Sequence, residues 1–129
     1  MAVRELCRQG DYRIEHEYEA AWLAWPGGRL AIGEHYGDPT CALIDPDVAW
    51  CLTAGEGVIV CLFSPRLSER DRPKRYRPME LWRGSSPPPD GEKAWFVESA
   101  AHLPANRLRL LVEDRSYDLD IATLEWGPA

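Results

Sequence analysis

What this chain of 129 residues lacks narrows its chemistry first. No apolar run approaches the roughly 20 residues that a membrane-crossing helix needs. No C-x-x-C pair occurs among Cys7, Cys41, Cys51 and Cys61, so a zinc knuckle or thioredoxin-type redox pair has no sequence support. No G-x-S-x-G, H-E-x-x-H, Walker loop or G-x-G-x-x-G is present, which removes the readable signatures of hydrolase, metalloprotease and nucleotide chemistry. The first residues, MAVRELCRQGDYR, are polar and carry no apolar h-region, so no secretory signal is expected and the cytoplasm is the default location. Only three histidines stand in the chain, His16, His35 and His102.

What is present describes a folded body. Hydrophobic residues make up 45% of the chain, with six Trp and five Tyr, a composition that buries a core rather than a disordered tail. The length suits one domain, 1–129. Eleven Pro and ten Gly imply many turns and short elements.

The densest signal is Cys41–Phe63, CALIDPDVAWCLTAGEGVIVCLF. Three apolar runs, Cys41–Ile44, Val48–Thr53 and Val58–Phe63, are separated by Asp45-Pro46-Asp47 and Gly55-Glu56-Gly57 and read as strands joined by tight turns. The third is apolar on both sides, Val58, Val60 and Leu62 against Ile59, Cys61 and Phe63. A strand without a wet side belongs in the middle of a packed sheet. Cysteines within such runs behave as small buried hydrophobes, with a Cys51–Cys61 cross-strand disulfide or a metal site as the alternatives.

Arg13–Trp22 alternates, with Ile14, His16, Tyr18, Ala20 and Trp22 on one parity and Glu15, Glu17 and Glu19 on the other, predicting a half-buried strand. A helix is the rival reading, because Glu and Ala favour one. Pro26-Gly27-Gly28 turns the chain and Leu30–Gly33 returns as a strand. Residues 64–78 and 84–91, the latter GSSPPPDG, are expected to be exposed loops, and Met79–Arg83 a short edge strand. Lys93–Ser99 reads as a strand with Trp95 and Val97 inward, and Ala100–Asn106 as a helical turn or loop. The end is a hairpin, Leu108, Leu110 and Val112 returning through Asp114-Arg115-Ser116 to Tyr117, Leu119 and Ile121, with a bulge or a change of face near Ala122. The fold class is therefore mainly β, or α+β with one short helix. It is an antiparallel meander of about eight strands forming a curved sheet, sandwich or partly open barrel.

Net charge is −6. Arg66–Arg83 holds seven basic and three acidic residues, hence +4, which leaves −10 on the remainder. Such a body repels phosphate, so the basic window with Tyr76 and Trp82 reads as a solvated loop rather than a nucleic-acid contact. The His35/Asp38 loop could perform general acid–base work, but it lacks a nucleophile or a further metal ligand, and no cofactor or metal site is expected. His16 reads as a core or rim residue with a satisfied hydrogen bond.

From Leu30 to Phe63 the chain resembles small immunity proteins of bacterial polymorphic-toxin systems. The pattern is Ile32–Gly33, Tyr36–Pro39, Ala42–Asp45, Trp50–Cys51, Gly55–Gly57 and Val58–Leu62, the IG-x-x-YGDP loop, ALID strand, WC strand, glycine turn and aliphatic strand. The resemblance implies a mainly β protein that binds and neutralises a cognate, basic toxin domain stoichiometrically. Exposed acidic and aromatic residues would form that interface: Glu15, Glu17, Glu19, Trp25, Glu34, Tyr36 and Asp38. A small enzyme using His35 and Asp38, and a small-molecule-binding β-barrel, are the alternatives.

Overall fold

The computed structural model describes residues 3–64, 67, 75–81 and 96–129. Twelve strands occur there in three antiparallel four-stranded meanders, and no helix is found among the described residues. The first sheet is β1 (Arg4–Gln9), β2 (Tyr12–Glu17), β3 (Ala20–Trp25) and β4 (Gly28–Glu34). The second is β5 (Cys41–Ile44), β6 (Trp50–Gly55), β7 (Gly57–Ser64) and β8 (Arg75–Leu81). The third is β9 (Val97–Leu103), β10 (Arg107–Val112), β11 (Arg115–Asp120) and β12 (Trp126–Pro128). The fold is mainly β, and none of the sheets closes into a barrel.

The second sheet lies between the other two. On one side Trp50, Leu52, Ala54, Val58 and Val60 pack on Leu108, Leu110, Val112, Tyr117 and Leu119 of the third sheet. On the other, Cys51, Ile59, Cys61 and Phe63 pack on Ile14, Leu23, Trp25 and Ile32 of the first. Register keeps each set on its own face, with Trp50 opposite Leu62, Leu52 opposite Val60 and Cys51 opposite Cys61. The two-sided apolar run of β7 is thus explained: both its faces are covered. The sheets approach most closely along their first strands, β1 against β5 and β5 against β9, like leaves of a fan. Thr40 fastens one such junction by donating its hydroxyl to the carbonyl of Val97.

Several expectations need correction. Arg13–Trp22 is not one strand but a hairpin, with Glu17 paired to Ala20 and a turn at Tyr18-Glu19. Tyr18 takes φ 53°, so side-chain parity inverts after it. Ile14 and His16 face inward as expected, but Tyr18 is 65% exposed, and Ala21, Leu23 and Trp25 replace Ala20 and Trp22 inside. Alternation continued across the turn by coincidence. Val48, read as a strand start, instead closes the Asp45–Val48 turn with φ 52° and is buried. Its N–H donates to Asp45 O at 2.8 Å, and the buried Asp45 carboxylate accepts from Ala49 N–H at 3.0 Å.

Within 64–78, Leu67 is fully buried and Arg75–Pro78 belong to β8, so those residues are not exposed loop. The rest of that window from Pro65 to Lys74, the 84–91 loop, Trp82 and Trp95 lie outside the described residues. Ala100–Leu103 are strand rather than helical turn, because Ala100 and His102 pair with Leu110 and Leu108 and tertiary pairing overrides local propensity. The C-terminal hairpin turns at Glu113-Asp114, since Val112 already pairs with Arg115. The parity change near Ala122 is a tight turn leading into β12, not a bulge.

Candidate functional site: an acidic pocket at one end of the first sheet

The β2–β3 turn and the end of β4 lie together, because His35 N–H donates to Glu19 O at 3.0 Å. A pocket of about 360 Å³ opens there, lined by Glu19, Glu34, His35, Tyr36 and Glu80. Three carboxylates and an exposed tyrosine thus share one concavity, and no lysine or arginine is among the described lining residues.

The frame beneath is fixed by unusual local choices. His35 is 2% exposed, and its ring bridges Thr53 Oγ1 (2.9 Å, Nε2) and Glu56 O (3.3 Å, Nδ1). The Glu56 carbonyl can only accept, so Nδ1 is assigned the hydrogen and Nε2 accepts from the Thr53 hydroxyl. Gly33 sits at φ +155°, and a Cβ there would lie 2.9 Å from Ile59 Cδ1, so the end of β4 presses directly on β7. At Gly55 a Cβ would meet Pro39 Cα at 3.1 Å and Asp38 O at 3.3 Å, so the loop carrying Tyr36 and Asp38 lies flat on the tip of β6. Glu19 closes the loop by accepting from Gly37 N–H at 2.7 Å.

Of the residues expected at an interface, Glu19, Glu34 and Tyr36 meet in this pocket. Asp38 is exposed on the adjoining loop but is not among the residues lining it. Glu15 and Glu17 do not form a row with Glu19. Glu15 points to the outer face of the first sheet, accepting from Arg13 Nε at 2.7 Å and Trp22 Nε1 at 3.0 Å. The Arg13 hydrogen bond, foremost, holds its carboxyl below the usual value against a smaller opposing desolvation. Arg29 stacks 4.8 Å over Trp22 and completes that patch. Trp25 is not an exposed anchor: it is 8% exposed and belongs to the core between the first and second sheets.

Glu80 was missed. It stands in the stretch dominated by arginines, and only the pairing of β8 on β7, with Glu80 opposite Ile59, brings it to the pocket. His16 behaves as expected, 5% exposed with Nδ1 3.0 Å from Tyr18 O. Among the described residues no group of three His, Cys, Asp or Glu is arranged to hold a metal. No described helix is long and apolar enough to cross a membrane.

Comparisons with known proteins add no name to this geometry: no family model, no curated protein and no solved structure matches the chain significantly.

Proposed function

We propose that this is an immunity protein, which binds a cognate bacterial toxin domain and neutralises it by stoichiometric contact. The observation that carries the reading is the convergence of Glu19, Glu34 and Glu80 around the exposed Tyr36 on a rigid frame. A basic partner would be drawn to this acidic end of the first sheet, where the exposed Tyr36 offers aromatic contact, since aromatic and charged groups of this kind anchor interfaces. The chain's net charge of −6 adds long-range attraction for a basic partner and raises the rate of encounter. Such proteins act in the cytoplasm of the producing cell, and that location forms part of the proposal.

Binding rather than turnover suits the loop histidine. Its ring is buried, with one nitrogen facing Thr53 and the other Glu56 O, which fits a brace better than a surface proton carrier. Co-expression with the product of the neighbouring gene tests the proposal. Rescue of growth and co-purification are expected. The Glu19→Gln, Glu34→Gln and Glu80→Gln triple variant should associate at least tenfold more slowly at low salt, with a flattened salt dependence. Absence of a complex at micromolar concentration would refute the reading. Asp38→Asn separates mechanisms, since an enzyme using that carboxylate would lose rescue altogether.

A further inference from the structure

Five large apolar or aromatic side chains are exposed among the described residues: Val3, Tyr18, Tyr36, Tyr76 and Phe96. Four of them lie at the end that carries the β2–β3 and β6–β7 turns, whereas Tyr76, near the start of β8, lies at the opposite end. Hydrogen bonds tie three of the four into one line across the sheets. Glu19, beside Tyr18, accepts from His35 N–H through its carbonyl at 3.0 Å and from Gly37 N–H through its carboxylate at 2.7 Å, which seats Tyr36 next to that turn. His35 Nδ1 lies 3.3 Å from Glu56 O, and Glu56 bridges to Phe96 at the entrance of the third sheet. Sheets packed about 10 Å apart set the ends of the outer two about 20 Å from each other.

The second observation is conformational. Tyr18 is 65% exposed, takes φ 53° and occupies the first central position of the β2–β3 turn. A positive φ at that position suits glycine, because a Cβ there crowds the backbone. The buried His16 sits beneath the strained residue, with Nδ1 3.0 Å from Tyr18 O. A ring that costs the fold stability and lies mostly in solvent is placed for contact with another molecule.

We infer that this whole end of the molecule, from Tyr18 to Phe96 across three sheets, is the face that docks the basic toxin domain, an inference that rests on the immunity reading. Tyr18 and Phe96 are its anchors and pack on apolar surface of the partner. Glu19, Asp38 and Glu56 stand between them and meet lysines and arginines at the rim. The net charge of −6 favours a cationic partner over an acidic one. The acidic pocket is then one part of a wider face, and the third sheet contributes to binding as well as the first.

The probe is the toxin domain encoded by the neighbouring gene, titrated calorimetrically into the protein while thermal unfolding of each variant is followed separately. Tyr18→Gly should melt no lower than the unaltered protein and yet bind about tenfold or more weakly. Phe96→Ser should lose affinity to a similar degree. Tyr76→Ser, at the opposite end, should change affinity by less than about twofold. If a complex forms and both Tyr18→Gly and Phe96→Ser bind as the unaltered protein does, this inference falls while the immunity reading stands. If no complex forms at micromolar concentration, both fall. A lowered melting temperature for Tyr18→Gly would make the ring a folding element and overturn the inference, as would an equal loss of affinity from Tyr76→Ser.

Discussion

The two faces of the central sheet are built from the same two strands and solve different problems. Toward the third sheet, β6 and β7 present Trp50, Leu52, Ala54, Val58 and Val60, and the facing residues are aliphatic or aromatic. Trp50 carries a polar irregularity on this side, an unmatched indole N–H, with the His102 ring 5.6 Å away. Toward the first sheet the same strands present Cys51, Thr53, Ile59 and Cys61, and the buried His35 bonds to Thr53. An apolar face is non-directional and resists only water entry. The face with hydroxyl, imidazole and thiols fixes angles, and the acidic pocket stands at the end of that face. Both sides carry stability through buried apolar side chains, and the side that holds His35 and Thr53 also carries alignment.

The largest expected effect would break the apolar side. Leu110→Ala removes a fully buried side chain and should lower unfolding free energy by about 2–5 kcal/mol in denaturant melts. Cys61→Ala, equally buried, deletes far less volume and should cost about 1 kcal/mol, scaled from the loss of one methylene-sized group. Equal losses would erase the contrast between the faces.

Next comes the pressed contact between β4 and β7. Gly33→Ala drives a methyl toward Ile59 Cδ1 at 2.9 Å and should cost about 1–3 kcal/mol. Ile59→Val removes that δ-methyl, so the double variant should be more stable than the sum of the single changes predicts. Simple additivity would show that backbone strain, not collision, dominates.

His35→Ala leaves the buried Thr53 hydroxyl without its imidazole and should cost about 1–3 kcal/mol. Adding Thr53→Val should recover part of that stability without restoring the loop. Under the immunity function proposed above, protection should therefore stay impaired while the melting temperature rises, separating alignment from stability.

The smallest effect is alkaline. Burial, the leading cause, raises the Cys7 thiol from 9.0 to about 11, and burial also raises Cys41. Cys51 is raised by its hydrogen bond with Cys61 and then by burial. Folding thus favours the neutral thiol. Its stabilisation is complete below the unfolded value of 9.0 and is lost as pH rises through about 11 at Cys7. Denaturant midpoints should fall over that window, and Cys7→Ser should flatten the decline. An unchanged slope would show that Cys7 titrates alike in both states.

Much of the fold was legible because strands announce themselves when both local rules agree. Val58–Phe63 is β-branched and two-sided, and Gly55-Glu56-Gly57 breaks it from β6, so a central position followed directly. Leu108–Ile121 alternates cleanly and forms the expected hairpin, though the turn falls at Glu113-Asp114, which sets Arg109 beside Asp118 at 2.8 Å. Parity failed where a turn lacked the usual residues. Glu17-Tyr18-Glu19-Ala20 contains no glycine, proline or asparagine, yet Tyr18 adopts φ 53° within the β2–β3 pairing, its carbonyl 3.0 Å from His16 Nδ1. β1 was invisible for the opposite reason, since its half-exposed residues have no periodic pattern.

The candidate site was half legible. Glu19, Glu34 and Tyr36 are exposed acidic and aromatic residues near turns, which sequence can suggest. Glu15 and Trp25 have the same character in the sequence, yet one is tied to Arg13 and Trp22 and the other is buried.

The sequence by itself determined that the chain forms a sheet protein with a wholly covered central strand at Val58–Phe63, because hydrophobic periodicity acts over neighbouring residues. Only the tertiary structure decided that three meanders stack on one another, that a histidine braces the acidic loop, and that Glu80 joins Glu19 and Glu34. Those outcomes depend on which strands become neighbours across long stretches of chain, and that choice is made by packing complementarity rather than by local pattern.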